Sequence, residues 1–184
     1  MIYREKLMAD AEKWEKLLFA SSIRRLEEEY GRTEQRNAVK RSFTELFRQW
    51  GEQTEQKAAS LGICYLYSSI LMRTGEMRLT LYGKELYFDK NQVENTWYLP
   101  GFFQIYEQDM TEIMDRLRKA HPRIYRYEEE AVRCQYAEYY YAAIAALCRD
   151  MADEIRDSDE FKMMQKTEDF FFFFGRWRGE AQKL

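Results

Sequence analysis

Proline is nearly absent from this chain, with 2 in 184 residues, and glycine is scarce at 8. A β-sandwich needs a turn signal every few residues, so this supply argues against one and favours long helices. One histidine and three cysteines leave four soft metal ligands in all, widely scattered. A structural zinc site needs four such residues, and a di-iron carboxylate bundle needs two Glu-x-x-His motifs, so neither is expected. The cysteines are odd in number and lack close spacing, which argues against a disulfide framework. Cys134 and Cys148, if on one helix, stand ~21 Å apart at ~1.5 Å per residue and cannot bond each other.

Long apolar runs are also missing. Tyr139 to Cys148 is the most apolar stretch, far short of the ~20 residues that span a bilayer. Met1-Ile2-Tyr3-Arg4-Glu5-Lys6 is charged from the start and leads into no apolar segment, so no signal peptide is expected. The reading is of a cytoplasmic protein with no membrane partner. Net charge is −3 and the isoelectric point about 5.5, which argues against charge-driven binding to nucleic acid. Neither G-x-x-x-x-G-K-[ST] nor G-x-G-x-x-G occurs, so no nucleotide or other cofactor is expected. A G-x-S-x-G elbow and a cysteine-protease signature are absent as well. His121 precedes Pro122 at a helix end, where it favours the dipole or faces solvent.

What the chain does hold is apolar and aromatic mass: 46% hydrophobic, 16% aromatic and 33% charged residues, a composition that excludes disorder. Leu7, Ala11, Trp14, Leu18, Ser22 and Leu26 recur at helical steps over residues 4–30. Gly31 stops that helix and Thr33 caps a second, which carries Val39, Phe43, Leu46, Phe47 and Trp50 and runs to about Ala59. So short a link makes the pair an antiparallel hairpin. Over 62–89 the period shifts toward two. Met77, Leu79 and Leu81 alternate with Arg78, Thr80 and Tyr82, and Gly83-Lys84 reads as a hairpin turn onto Glu85–Phe88. Ile63–Leu71 fits either a third strand or a helical extension. Asp89 to Gly101 reads as a loop.

A third helix carries Tyr106, Met110, Ile113, Met114 and Leu117, with Asp109 and Glu112 at capping-box spacing, and ends at His121-Pro122. A fourth, over 124–156, carries Val132, Tyr136, Tyr140, Ile144, Leu147, Met151 and Ile155 on one side. Asp157 or Ser158 caps a fifth segment, in which Phe161, Met164, Glu168 and Phe171 keep a helical period up to Gly175. The expected fold class is α+β and helix-dominated, as a single domain over 1–184. It comprises a helical hairpin over 1–60, a small antiparallel β-meander over 62–89, helices over 102–174 and a basic-aromatic tail over 175–184.

Five consecutive phenylalanines, Phe170 to Phe174, stand out. They point all round a helix, or alternate between two faces of a strand, so they are either covered on every side or offered to a partner. With Trp97, Tyr98, Tyr139, Tyr141 and the tail Arg176-Trp177-Arg178 they form the candidate binding set, chiefly Phe170, Phe173 and Phe174. The function expected is a non-enzymatic protein-binding module that engages a protein partner or a second copy of itself, such as a toxin-neutralising or scaffolding protein. One alternative is a metal-assisted phosphoester hydrolase using Asp157, Asp159 and Glu160. Another is nucleic-acid binding through the tail and Arg24, Arg25, Arg32, Arg36, Lys40, Arg41 and Arg48. Interleaved glutamates make a salt-bridged, solvated face the simpler account of those arginines.

Overall fold

The computed structural model describes residues 2–184. Two helices open the chain, α1 (Ile2–Tyr30) and α2 (Thr33–Gln53); α1 packs chiefly on later helices and α2 on the sheet, so the close helical hairpin expected over 1–60 is not what the contacts show. The stripe of α2 is buried as expected, with Val39, Phe43, Leu46, Phe47 and Trp50 inward. The helix runs through Gly51 and ends at Gln53, short of Ala59, and Trp50 donates its ring N–H to the Gln56 carbonyl just beyond the end. Arg32, not Thr33, is the N-cap residue.

Strand β1 (Ala58–Tyr65) follows, then a short helix α3 (Tyr67–Leu71) and strand β2 (Glu76–Tyr82). Residues 63–71 thus divide between strand and helix. The Gly83-Lys84 hairpin does not form. Residues 83–92 make a longer connection with a 3-10 turn at Leu86–Phe88, and the returning strand is β3 (Val93–Tyr98), in the segment read as a loop. The Asp89 carboxylate explains the difference: it accepts the Gly83 N–H at 2.5 Å and the Asn91 N–H at 2.9 Å, folding the connection on itself.

Helix α4 (Pro100–Ala120) has proline in its first turn, and α5 (Arg126–Asp150) is capped by Glu128, whose carboxylate accepts the Tyr125 N–H at 2.8 Å. Asp109 is no cap. It lies in mid-helix, buried, and one of its oxygens accepts the Tyr136 hydroxyl at 2.5 Å and the Tyr140 hydroxyl at 2.7 Å. The single helix expected over 124–156 breaks at Met151 into α5 and α6 (Ala152–Arg156). Ser158 caps α7 (Asp159–Met163), its hydroxyl accepting from Phe161 N–H.

There the helical period stops. The phenylalanine run lies in strand β4 (Lys166–Arg176), and the tail adds β5 (Ala181–Lys183). The sheet is therefore five-stranded and mixed, in the order β3-β2-β1-β4-β5, in place of a small antiparallel meander. β4 runs parallel to β1, and every other pairing is antiparallel.

One face of this sheet is buried beneath the helices. Leu61, Ile63, Met77, Leu79, Leu81, Val93, Trp97, Phe172 and Phe174 join the main core there. Phe43 of α2 meets Trp97 edge-on at 5.5 Å, Phe161 of α7 stacks on Phe172 at 5.9 Å, and Tyr141 of α5 stacks on Tyr65 at 3.9 Å. α1 packs across α4 and α5. His121 is drawn into this layer. Its ring is 3% exposed, with Nε2 3.0 Å from an Asp10 carboxylate oxygen, so it neither faces solvent nor caps by charge alone. Among the described residues, no helix is long and apolar enough to cross a membrane.

Candidate interaction surface on the outer face of the sheet

Alternation along the strands sends the other half of their side chains to the opposite face. Ser60, Gly62 and Cys64 of β1 register against Tyr82, Thr80 and Arg78 of β2, and against Phe171, Phe173 and Gly175 of β4. Glu94, Thr96 and Tyr98 of β3 extend the row. Cys64, Tyr82 and Phe173 form a second, separate apolar cluster, with Tyr87, Phe171 and Trp177 packed against it. It is built from strand, turn and loop residues alone. Gly62 makes this layer possible: a Cβ there would stand 2.5 Å from the Phe173 ring.

The aromatic rings of this layer interlock. Tyr82 stacks on Phe173 at 6.0 Å and meets Tyr87 edge-on at 5.5 Å, while Tyr87 meets Trp177 at 6.5 Å. Cations lie over the outer rings, Lys183 on Phe171 at 5.2 Å and Arg178 on Trp177 at 5.6 Å. Beneath the rings, the Ser60 hydroxyl is buried with no hydrogen-bond partner. The Thr80 and Tyr82 hydroxyls are buried beside each other without meeting hydrogen-bond geometry. An unpaired buried hydroxyl costs about 1–3 kcal/mol, so this outer layer stabilises the fold less than its aromatic content suggests.

Phe88 follows Tyr87 of this layer in the 3-10 turn of the β2–β3 connection. It is 85% exposed, the most exposed large apolar side chain among the described residues. Tyr87 beside it packs inward on Tyr82 and Trp177, while Leu86, also exposed, takes a left-handed φ of 49°. The Asp89 clamp fixes the base of the turn, so Phe88 stands on a held scaffold. Sequence reasoning missed it by assigning Glu85–Phe88 to a strand. The one available signal was Asp89 followed two residues later by Asn91, an Asx-turn pattern that competes with a two-residue hairpin.

The candidate residues separate by face. Tyr98, Phe173 and Trp177 lie on the outer side, Tyr98 exposed and bonded through its hydroxyl to Glu76, Trp177 half-buried, and Phe173 buried within the cluster. Trp97, Tyr141 and Phe174 are buried on the inner side and present nothing to a partner: the register of β3 and β4 turns Trp97 and Phe174 toward the helices, and Tyr141 of α5 stacks down on Tyr65 of the sheet. Phe170 is half-buried on that side against Phe161, and Tyr139 is half-buried against Phe19. Arg176 is exposed over the Tyr67 ring at 4.8 Å, and Arg178 is exposed in the β4–β5 turn.

The chemistry considered from sequence finds little geometry. Burial pushes the Cys64 thiol up to about 12, with Glu94 adding to the effect, so it is no nucleophile at neutral pH. Asp157, Asp159 and Glu160 line a broad cleft of about 880 Å³ with Lys40 and Arg41 of α2, and Lys162 pairs with Asp157 at 3.4 Å. Among the described residues, no three His, Cys, Asp or Glu side chains are placed to hold a metal ion. Of the hairpin arginines, Arg32 pairs with Glu29, Arg36 with Glu154 and Arg48 with Glu45 and Glu52, while Arg25 bonds Gln108. Compared with models of known families, with curated proteins and with solved structures, the chain matches none.

Proposed function

We propose that this chain is a non-enzymatic protein-binding module that docks its partner on the outer face of the sheet, with Phe88 as the anchor. The observation that carries the reading is a phenylalanine 85% exposed on a turn fixed by two backbone hydrogen bonds to Asp89. Fully burying such a ring contributes about 1.5–3 kcal/mol, and a pre-set turn loses little entropy when it is covered. Tyr98 and Trp177 supply further partly exposed aromatic area on the same side, the residue types that dominate binding energy at interfaces. Neutralising a toxin and scaffolding are the two roles such a module fits, since both require only that another protein be occupied.

The test compares the full chain with Phe88→Ser, a change at a solvated position that leaves both cores intact. Cross-linked complexes from the source cells should contain a stoichiometric partner with the native chain and lose most of it with Phe88→Ser, at equal thermal stability. Equal recovery by both proteins, or no stoichiometric partner for either, would sink the reading. Sedimentation of the isolated chain separates a foreign partner from a second copy.

A further inference from the structure

The β2–β3 connection is bonded to itself and to little else. Leu86 N–H donates to the Gly83 carbonyl, Phe88 N–H to Glu85 and Asp89 N–H to Leu86, while the Asp89 carboxylate accepts from Gly83 and Asn91. Among the described residues, no hydrogen bond or ion pair joins residues 83–91 to the rest of the chain; Lys84 attracts Asp169 without pairing with it. Lys84, Glu85, Leu86, Phe88 and Lys90 face solvent. Tyr87 turns back onto the sheet, against Tyr82 at 5.5 Å and Trp177 at 6.5 Å. Trp177 itself stays with the sheet, because its N–H donates to the Tyr65 carbonyl at 3.1 Å.

Beneath Tyr87 lies Cys64, fully buried. Its neighbours in register are Arg78, which turns to Glu94, and Gly175, which has no side chain, so its cover comes from the rings above. Burial, with Cys64 close by, raises the Tyr87 hydroxyl above its ordinary pKa. The same layer covers the unpartnered hydroxyls of Ser60, Thr80 and Tyr82.

We propose that residues 83–91 are a flap over the outer face of the sheet, latched by Tyr87, which opens to uncover Cys64 while the main core stays folded. Opening breaks the contacts of one ring and none of the flap's own hydrogen bonds, and it brings water to hydroxyls that lack partners when it is shut. The outer cluster shares no residue with the main core, so the helices need not unpack. Phe88 stands next to the latch on the same turn and moves with it. The flap does not depend on a partner docking at Phe88, since its motion belongs to the isolated chain.

Labelling of the full native chain with a disulfide reagent such as dithionitrobenzoate, with each thiol assigned by peptide mapping, tests this. The three free cysteines supply their own controls: Cys134 is half-buried, Cys64 lies under the flap, and Cys148 is 2% exposed in the main core. Cys64 should label at least about tenfold faster than Cys148, at a rate that urea below the unfolding transition barely changes, because a flap exposes little new surface. Tyr140→Phe, which weakens the main core, should raise the Cys148 rate about tenfold and leave Cys64 unchanged. Tyr87→Ala should raise the Cys64 rate by about tenfold, and Tyr87→Phe, which keeps the ring, should not. Cys64 labelling that follows Cys148 through urea and through Tyr140→Phe overturns the flap, since the thiol then opens only with the whole fold. A Cys64 rate indifferent to Tyr87→Ala overturns the latch, and with it the proposal.

Discussion

Glu15 is a carboxylate with no exposed surface and no cation bonded to it. Gln135 of α5 donates to one oxygen at 2.8 Å, and the other oxygen is unpartnered. Burial pushes its pKa from an ordinary 4.5 up to about 7, with the Gln135 hydrogen bond opposing. The folded state therefore holds a proton that the unfolded chain releases. The resulting stability is complete below about pH 4.5 and is lost as pH rises through about 7. Glu15→Gln keeps the shape and removes the titration. We expect the variant to be more stable than the native chain by about 1–3 kcal/mol at pH 8, with the two converging near pH 5. Urea unfolding across that range checks it, and parallel curves for the two proteins would refute the assignment.

Between elements, one carboxylate ties the helical layer together. Asp109 of α4 accepts two tyrosine hydroxyls from successive turns of α5, in a buried setting where hydrogen bonds to a charged group contribute about 1.5–3 kcal/mol each. Asp109→Ala leaves both hydroxyls unpaired. The expected loss is about 3–5 kcal/mol, whereas Tyr140→Phe, which breaks one bond and leaves the carboxylate its other donor, should cost about 1–2. Denaturant midpoints at constant m-value measure both. Asp109 also shows where sequence reasoning stops at this scale. The helices α1, α2, α4 and α5 were legible because their apolar stripes repeat every 3.6 residues over five turns or more. Asp109 three residues before Glu112 looks like a cap only while its partners, 27 and 31 residues away, are invisible. β3 was lost for a related reason: Val93 and Trp97 alternate with Glu94 and Thr96, yet Asn95 interrupts the inner row. The candidate site fared as the strands did. Tyr98 and Trp177 were named, but Phe88 becomes conspicuous only once Tyr87 and Asp89 are seen to turn away from it.

For the whole molecule, the five phenylalanines decide the topology. As a helix they continued the period of Phe161 and Met164, and nothing local contradicts that. The deciding interaction is non-local, a parallel pairing with β1 more than 100 residues earlier that buries both faces of the run. Phe172 and Phe174 fill the main core, Phe173 closes the outer cluster over Gly62, and β1 gains a hydrogen-bonded neighbour on its second edge. Removing residues 170–184 therefore strips three buried rings, at about 1.5–3 kcal/mol each, and leaves the main-chain groups of β1 unpaired. That sum is comparable to the 5–15 kcal/mol by which a whole domain is stable. A chain ending at Asp169 is expected to lose its cooperative unfolding transition, so it cannot report on binding. A chain ending at Gly179 removes only Glu180, β5 and Leu184, and the three residues of β5 are exposed. It should keep a single transition, weakened by about 1–2 kcal/mol through the lost ladder bonds to β4. Circular dichroism of the two truncations under urea separates these outcomes. Cooperative folding of the shorter chain would mean that β4 is an appendage, and that the phenylalanine run belongs to the binding surface after all.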